Sequence, residues 1–335
     1  MSQMGLEGFH VIAVIENIAA WESRYENYEI FEEDIVRKGA TLWVLELQTG
    51  GRLHRVTDKE NPKHIQLWSS ALPGELWHKE QMINIVTQHI IRQEPGCRFV
   101  AWVDADCKFE AGALEKTVQA LQIWDVVQMW SHLIDLGPTG GAIGSVKQSF
   151  MYCYWHNIAV KNTSTYLIGG APGLAWAARR DALNKLGCAI SGPVLDFAIL
   201  GSGDRNFACA LLGQVDGSLD PRFHPNYKKW MHIYQDNAVR ALKKNVGYVE
   251  NTVRHLFHGD KLDRGYVSRW DILVKWNFDP ETFLARDVSG LYRLVCETDD
   301  QIGFRDDCRR YNRARNEDGK IVKNCGEWRI TPSGK

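Results

Sequence analysis

The chain predicts an α/β protein: a mostly parallel central sheet covered by helices, with a helical or irregular carboxyl-terminal extension. Three observations predict it. Short apolar runs alternate with longer segments of helical periodicity through the first 130 residues. The runs are rich in β-branched and aromatic residues, as expected of buried strands. Polar or acidic residues close several of them, at Glu16-Asn17, Glu46 and Asp104-Ala105-Asp106.

His10–Ile15 reads as the first strand, stopped by Glu16-Asn17. Ala19–Lys38 has helical periodicity and ends at Gly39, a residue suited to the left-handed cap of a helix. Thr41–Leu47 and His64–Trp68 read as further strands. Pro73-Gly74 breaks the chain before a helix over Glu75–Arg92. Arg98–Val103 is an apolar strand that runs into the two aspartates, and Phe109–Leu121 and Val126–Trp130 follow as helix and strand. Gly137–Ser145 has no periodicity and reads as a plain loop, with a mobile lid as the alternative. Phe150–Ile158 is aromatic-rich and reads as extended. Leu174–Ala177 is a short strand, with a helix from Arg179. Gly201–Leu212 is a turn and helix, Tyr227–Lys244 a helix, Val249–Phe257 extended and Gly265–Trp276 helical. Beyond Pro280 the chain is polar and turn-rich, and Asn316–Lys335 reads as weakly ordered. The simplest division is one compact domain over residues 1–280 and an extension over 281–335.

Composition narrows the class. With 335 residues, 44% hydrophobic and 24% charged, the chain can bury a substantial core, as soluble enzymes do. A net charge of −1 draws it neither to nucleic acid nor to an anionic membrane. One local basic stretch stands out, Arg309–Arg315, which also reads as an ordinary solvated surface. No segment approaches the about 18 apolar residues that span a bilayer, and Met1–Phe9 lacks a signal-peptide pattern. Eight cysteines are scattered without a C-x-x-C pair, which suits reduced thiols in a cytoplasm. The expectation is a cytoplasmic protein of microbial or viral origin with no membrane insertion.

Function is read from the strand ends, because ligands of such sheets sit beyond the carboxyl ends of the strands. Asp104 and Asp106 offer hard oxygens that suit Mg²⁺ or Mn²⁺ shared with a phosphate. The plainer alternative is that they cap the following helix. Lys79 and Asn84, on the helix before this strand, are placed to reach a phosphate or a base. Gly169–Ala177 combines glycines that admit a close ligand with the flat face of Trp176. Asp204, on a glycine-rich turn, is a candidate general base with Asp196 in reserve, or simply a helix cap. His255 and His258 can complete the shell of a cation, and Lys261 and Arg264 supply charge for a diphosphate.

The order of these elements resembles nucleotide-sugar-dependent glycosyltransferases of the GT-A, Rossmann-like fold, over roughly residues 9–280. These elements are the strand ending in Asp104-Ala105-Asp106, the glycine–Trp segment, the Gly201-Ser202-Gly203-Asp204 turn and the late His255-Leu256-Phe257-His258-Gly259. The resemblance implies that Asp104 and Asp106 hold a metal–diphosphate, Asp106 more directly. It implies that one late histidine joins them, His255 before His258, and that Asp204 is the base of an inverting transfer. Gly203 stands where the commonest pattern has an acid before that aspartate, which leaves the stereochemistry open. Ile15, Glu16, Asn17, Arg24 and Glu46 would hold the nucleoside. The implied cofactors are Mn²⁺ or Mg²⁺ and a nucleoside-diphosphate sugar, with a glycan, protein or hydroxymethylated DNA base as acceptor. A non-catalytic nucleotide- or glycan-binding protein of the same fold is the alternative. A two-metal phosphoesterase ranks last, because it would need more clustered Asp, Glu and His.

Overall fold

The computed structural model describes residues 5–69, 75–162, 165–265 and 268–320, without the side chains of 159–162 and 165–168. Pro73-Gly74, Tyr266, Cys325 and residues 321–335 of the expected weakly ordered tail lie outside the described residues. In chain order the elements begin β1 (Phe9–Glu16), α1 (Glu22–Arg37), β2 (Thr41–Thr49), β3 (His64–Ser69), α2 (Lys79–Gln93), β4 (Phe99–Val103) and β5 (Cys107–Phe109). They continue with α3 (Ala113–Ala120), β6 (Val126–Gln128), β7 (His132–Leu136), β8 (Ala142–Gln148), α4 (Phe150–Trp155), β9 (Ala159–Asn162) and β10 (Thr165–Ile168). Next come β11 (Ala175–Arg179), α5 (Arg180–Leu183), α6 (Gly203–Leu211), α7 (Pro225–Leu242), β12 (Val246–Tyr248) and β13 (Thr252–His255). Last are α8 (Ser268–Lys275), α9 (Pro280–Phe283), β14 (Leu284–Arg286), β15 (Tyr292–Leu294) and α10 (Asp299–Arg313).

The main sheet has the order β12-β6-β11-β4-β1-β2-β3. Only β11 runs against its neighbours β4 and β6. The α/β, mostly parallel architecture is therefore the expected one. Successive residues of the central strands face two separate cores. Val11 and Ala13 pack with Tyr28, Phe31 and Ile35 of α1, while Ile12 packs with Met82, Ile83 and Val86 of α2. A sheet covered on both faces needs apolar residues at both parities, which is why β1 and β4 read as unbroken hydrophobic runs.

A second sheet of four strands, β5-β13-β7-β8, stands at the carboxyl edge of the first. Three short links pass from one sheet to the other: residues 104–106 between β4 and β5, 129–131 between β6 and β7, and 249–251 between β12 and β13. Ser131 and Asn251 tie the last two together, the Ser131 amide donating to the Asn251 carbonyl at 2.9 Å. The aspartate pair is thus a corner of the fold rather than a cap on α3, whose N-cap is Gly112 with a φ of 77°.

Several local expectations are corrected. Gly137–Ser145 is neither plain loop nor lid: a turn at Gly137–Gly141 leads into β8, which pairs antiparallel with β7. Phe150–Trp155 is helical, not extended, because the Ser149 hydroxyl accepts the Tyr152 amide and starts a turn. The region past Pro280 is not turn-rich throughout. It contributes Phe283, Leu291, Phe304 and Cys308 to the larger core, and α10 opens with a capping box formed by Thr298 and Gln301. The Arg309–Arg315 stretch is no continuous basic patch: Arg310 pairs with Asp307, Asn312 is buried, and Arg315 turns in to Glu317. Among the described residues, no helix is long and apolar enough to cross a membrane.

Candidate metal centre and flanking acids

Strand pairing carries Asp106 to the histidines. β13 lies antiparallel to β5 with His255 opposite Cys107, and the Leu256 amide donates to the Asp106 carbonyl at 2.8 Å. Asp106 Oδ2 then sits 2.9 Å from His258 Nε2 and 3.5 Å from His255 Nε2. The two Nε2 atoms are 3.3 Å apart. Among the described residues this is the one group of three whose ligand atoms all lie within 4.8 Å of one another.

Each ring is held from behind. His255 Nδ1 faces Asp135 Oδ1 at 3.1 Å, and His258 Nδ1 faces Glu317 Oε2 at 3.3 Å. A carboxylate on Nδ1 fixes the tautomer that leaves Nε2 free for a metal. Arg264 Nη2, 3.1 Å from His258 Nε2, fits the same tautomer, since a guanidinium only donates.

The charges agree with a site that wants a cation. Burial opposes ionisation of Asp106, but His255 and His258 outweigh it and hold the carboxyl well below its usual range. Burial also disfavours charge on His255, yet Asp106 and Asp135 raise its pKa to about 9. Burial and the Arg264 charge push His258 down. One proton on His255 thus stands where a cation would bring two imidazoles and a carboxylate together. The donor set fits a divalent metal. Its two nitrogens suit Mn²⁺ better than Mg²⁺, which prefers oxygen.

Asp104 belongs to a different cluster. Its backbone amide donates to Leu174 O at 2.7 Å, and its carboxylate pairs with Lys79 Nζ at 2.6 Å. Asp204, in the first turn of α6, lies 3.3 Å from the same ammonium. Burial, only partly offset by Lys79, raises Asp104 to about 6, with Asp204 and Asp106 adding to the rise. Glu80 behind them is pushed to about 8 by burial, against the pull of Lys79. The fold makes room with glycine: a Cβ on Gly173 would stand 2.9 Å from Asp204 Oδ2, and one on Gly203 would strike Glu80.

Other expected contacts are committed elsewhere. Glu46 is fully buried and accepts the backbone amides of Arg55, Val56 and Thr57, so it fastens a loop instead of holding a nucleoside. Glu16 accepts the His78 amide and ring, Asn17 bonds the Trp21 backbone in both directions, and Ile15 is core. Asn84 and Asp196 bond each other at 2.8 Å in a buried knot with Val194 and Arg286, closed off from solvent. Asp196 is therefore no reserve base. Trp176 is 1% exposed and packs edge-on against Phe207, so its face is not offered to a ligand. Arg24 stays near the centre, bonded to Glu317 and the Glu16 carbonyl and stacked on Trp77. Lys261 pairs with Asp135 at 2.6 Å, and burial with neighbouring Lys147 lowers its pKa to about 8. Sequence reasoning missed Asp135 and Glu317. The first is an acid inside a short strand, and the second lies in a polar tail.

No known family model matches the chain, and no curated protein matches it. Solved structures found similar include a glycosyltransferase involved in the glycosylation of the major capsid of PBCV-1. It is 8% identical, with 90% of this chain and 98% of that chain covered and a TM-score of 0.28. Another is glucosyl-3-phosphoglycerate synthase from Mycobacterium tuberculosis, in complex with Mn²⁺, uridine diphosphate and phosphoglyceric acid. It is 11% identical, with 87% and 88% of the two chains covered and a TM-score of 0.37. At such values the likeness assigns no role to any side chain here.

Proposed function

We propose that this chain is a metal-dependent glycosyltransferase that moves a sugar from a nucleoside diphosphate to an acceptor hydroxyl. The observation that carries the reading is the convergence of Asp106 Oδ2, His255 Nε2 and His258 Nε2 at the sheet edge, with each imidazole oriented by a second carboxylate. Asp106, His255 and His258 would hold a divalent cation there, which would supply Lewis-acid neutralisation of a departing diphosphate. Arg264 and Lys261 add positive charge on the same side. Across Lys79, Asp204 is the acid left to accept the acceptor's proton, being partly exposed where Asp196 is not. Lys79 pairs with Asp104 and Asp204 at once, and so holds the base in place beside the strand end.

The test is a panel of nucleoside-diphosphate sugars incubated with the protein and Mn²⁺, following release of the nucleoside diphosphate. Turnover of at least one donor that stops in chelator supports the reading. Tight nucleotide binding with no hydrolysis or transfer of any donor would replace it by a non-catalytic binding protein.

A further inference from the structure

Residues 314–320 follow α10 and run back over the start of α1 as a strap. Asp318 accepts the Ser23 and Glu22 amides at 2.9 and 3.1 Å, capping α1, whose own N-cap residue Trp21 makes no side-chain cap. The Ser23 hydroxyl donates to the Glu317 carbonyl at 3.0 Å. On the other side the strap lies against the turn after His258. Gly259 there has a φ of +81°, and a Cβ would run into the Asn316 carbonyl. Seated this way, Glu317 is 1% exposed and meets Arg24 through both oxygens, at 2.6 and 2.9 Å. Its Oε2 also faces His258 Nδ1.

We infer that Glu317 is a positioning residue for the metal centre: the strap delivers a carboxylate, 59 residues along the chain from His258, that keeps the His258 proton on Nδ1 and its Nε2 turned to the cation. The inference rests on the metal reading proposed above. Asp135 does the same for His255 from inside a strand, so the centre is built from one carboxylate of the sheet and one of the carboxyl-terminal segment. Arg24 and Arg315, at 2.6 and 2.9 Å, keep Glu317 ionised in its buried place and aim it. Burial alone would raise its pKa, and the surrounding cations hold it well below the usual carboxylate range.

Carboxylates in this position typically change metal affinity about ten- to hundred-fold when removed. The experiment compares Mn²⁺ binding by calorimetry for the full chain, Glu317→Ala and Glu317→Gln, with Asp106→Ala as the reference for a lost site. Glu317→Ala should bind Mn²⁺ about ten- to hundred-fold more weakly, and the amide of Glu317→Gln, which still accepts from Nδ1, should restore most of the loss. Long-range ¹H–¹⁵N spectra of the metal-free protein supply a readout that simple loosening would not move. Only His258 should shift from the Nδ1–H form in Glu317→Ala, with His255 unchanged. Wild-type Mn²⁺ affinity in Glu317→Ala, or an unchanged His258 tautomer, overturns the inference. If the alanine variant does not fold, the wild-type spectra decide: a metal-free His258 that carries its proton on Nε2 and not on Nδ1, where Glu317 faces it, overturns the inference. Wild-type protein that binds Mn²⁺ no better than Asp106→Ala instead removes the metal reading itself.

Discussion

Two neighbouring strand ends set a carboxylate against histidine, and only one leaves a place for a cation. At the end of β1, His78 Nδ1 lies 2.7 Å from Glu16 and its Nε2 lies 3.0 Å from the Tyr292 carbonyl. Both ring nitrogens face acceptors, an arrangement that favours the protonated ring and lets it pin strand, helix and carboxyl-terminal hairpin together. Past the end of β4, the nitrogens behind the rings go to Asp135 and Glu317, and those in front face Asp106. The residue types are the same. Which way the ring nitrogens point separates a staple from a ligand set.

The sharpest way to break this contrast is to remove the carboxylate at each end. Asp106→Ala should abolish Mn²⁺ binding measured by calorimetry while the fold persists. Asp104→Asn, which alters a lysine pair outside the cluster, should cost less than about the ten-fold typical of lost indirect partners. Equal losses in the two variants would place both aspartates on the metal. Next in size, Asp204→Asn should lower acceptor-dependent transfer by about 10²–10⁴-fold, the usual worth of a general base, with Mn²⁺ affinity kept. A transfer rate within a few-fold of wild type would show that no base acts there.

Glu16→Gln should do the opposite of Asp106→Ala. It leaves a buried imidazolium without its counter-charge, at a cost of roughly 3–5 kcal/mol in denaturant unfolding, and leaves metal binding alone. That cost carries a pH signature. Burial lowers the His78 pKa, but Glu16 and the Tyr292 carbonyl outweigh it and raise it above the ordinary value of 6.5. A raised folded-state pKa gives stability that is complete below 6.5 and is lost as pH climbs through the folded value. The gap between wild type and Glu16→Gln should therefore be widest in mild acid and close on the alkaline side. A gap independent of pH would mean that His78 is neutral in the folded protein.

Much of this arrangement was legible in the chain. The apolar runs marked the central strands because a sheet covered on both faces spares no position for polar residues. Asp106, His255 and His258 stood out because acids and imidazoles closing such runs have few structural uses. Glu46 and Trp176 obeyed the same signals and went the other way. A carboxylate at a strand end can equally accept the amides of a returning loop, and a tryptophan beside glycines can face inward. Which happens depends on whether the next segment folds over the strand, and local pattern does not carry that. Asp135 and Glu317 were hidden for a related reason. Their importance lies in partners 120 and 59 residues away, brought near by sheet register and by the strap.

The three-residue link that holds Asp106 has a mechanical consequence. It is a seam between two sheets, flanked by two other seams that Ser131 and Asn251 lace together. A centre mounted on a hinge loop can flex by itself, but one mounted on a seam borrows its rigidity from the layers it joins. Loosening either layer would spread the three ligand atoms apart. Durability of the whole body and readiness of the centre are then one property, gained together on folding and forfeited together on melting.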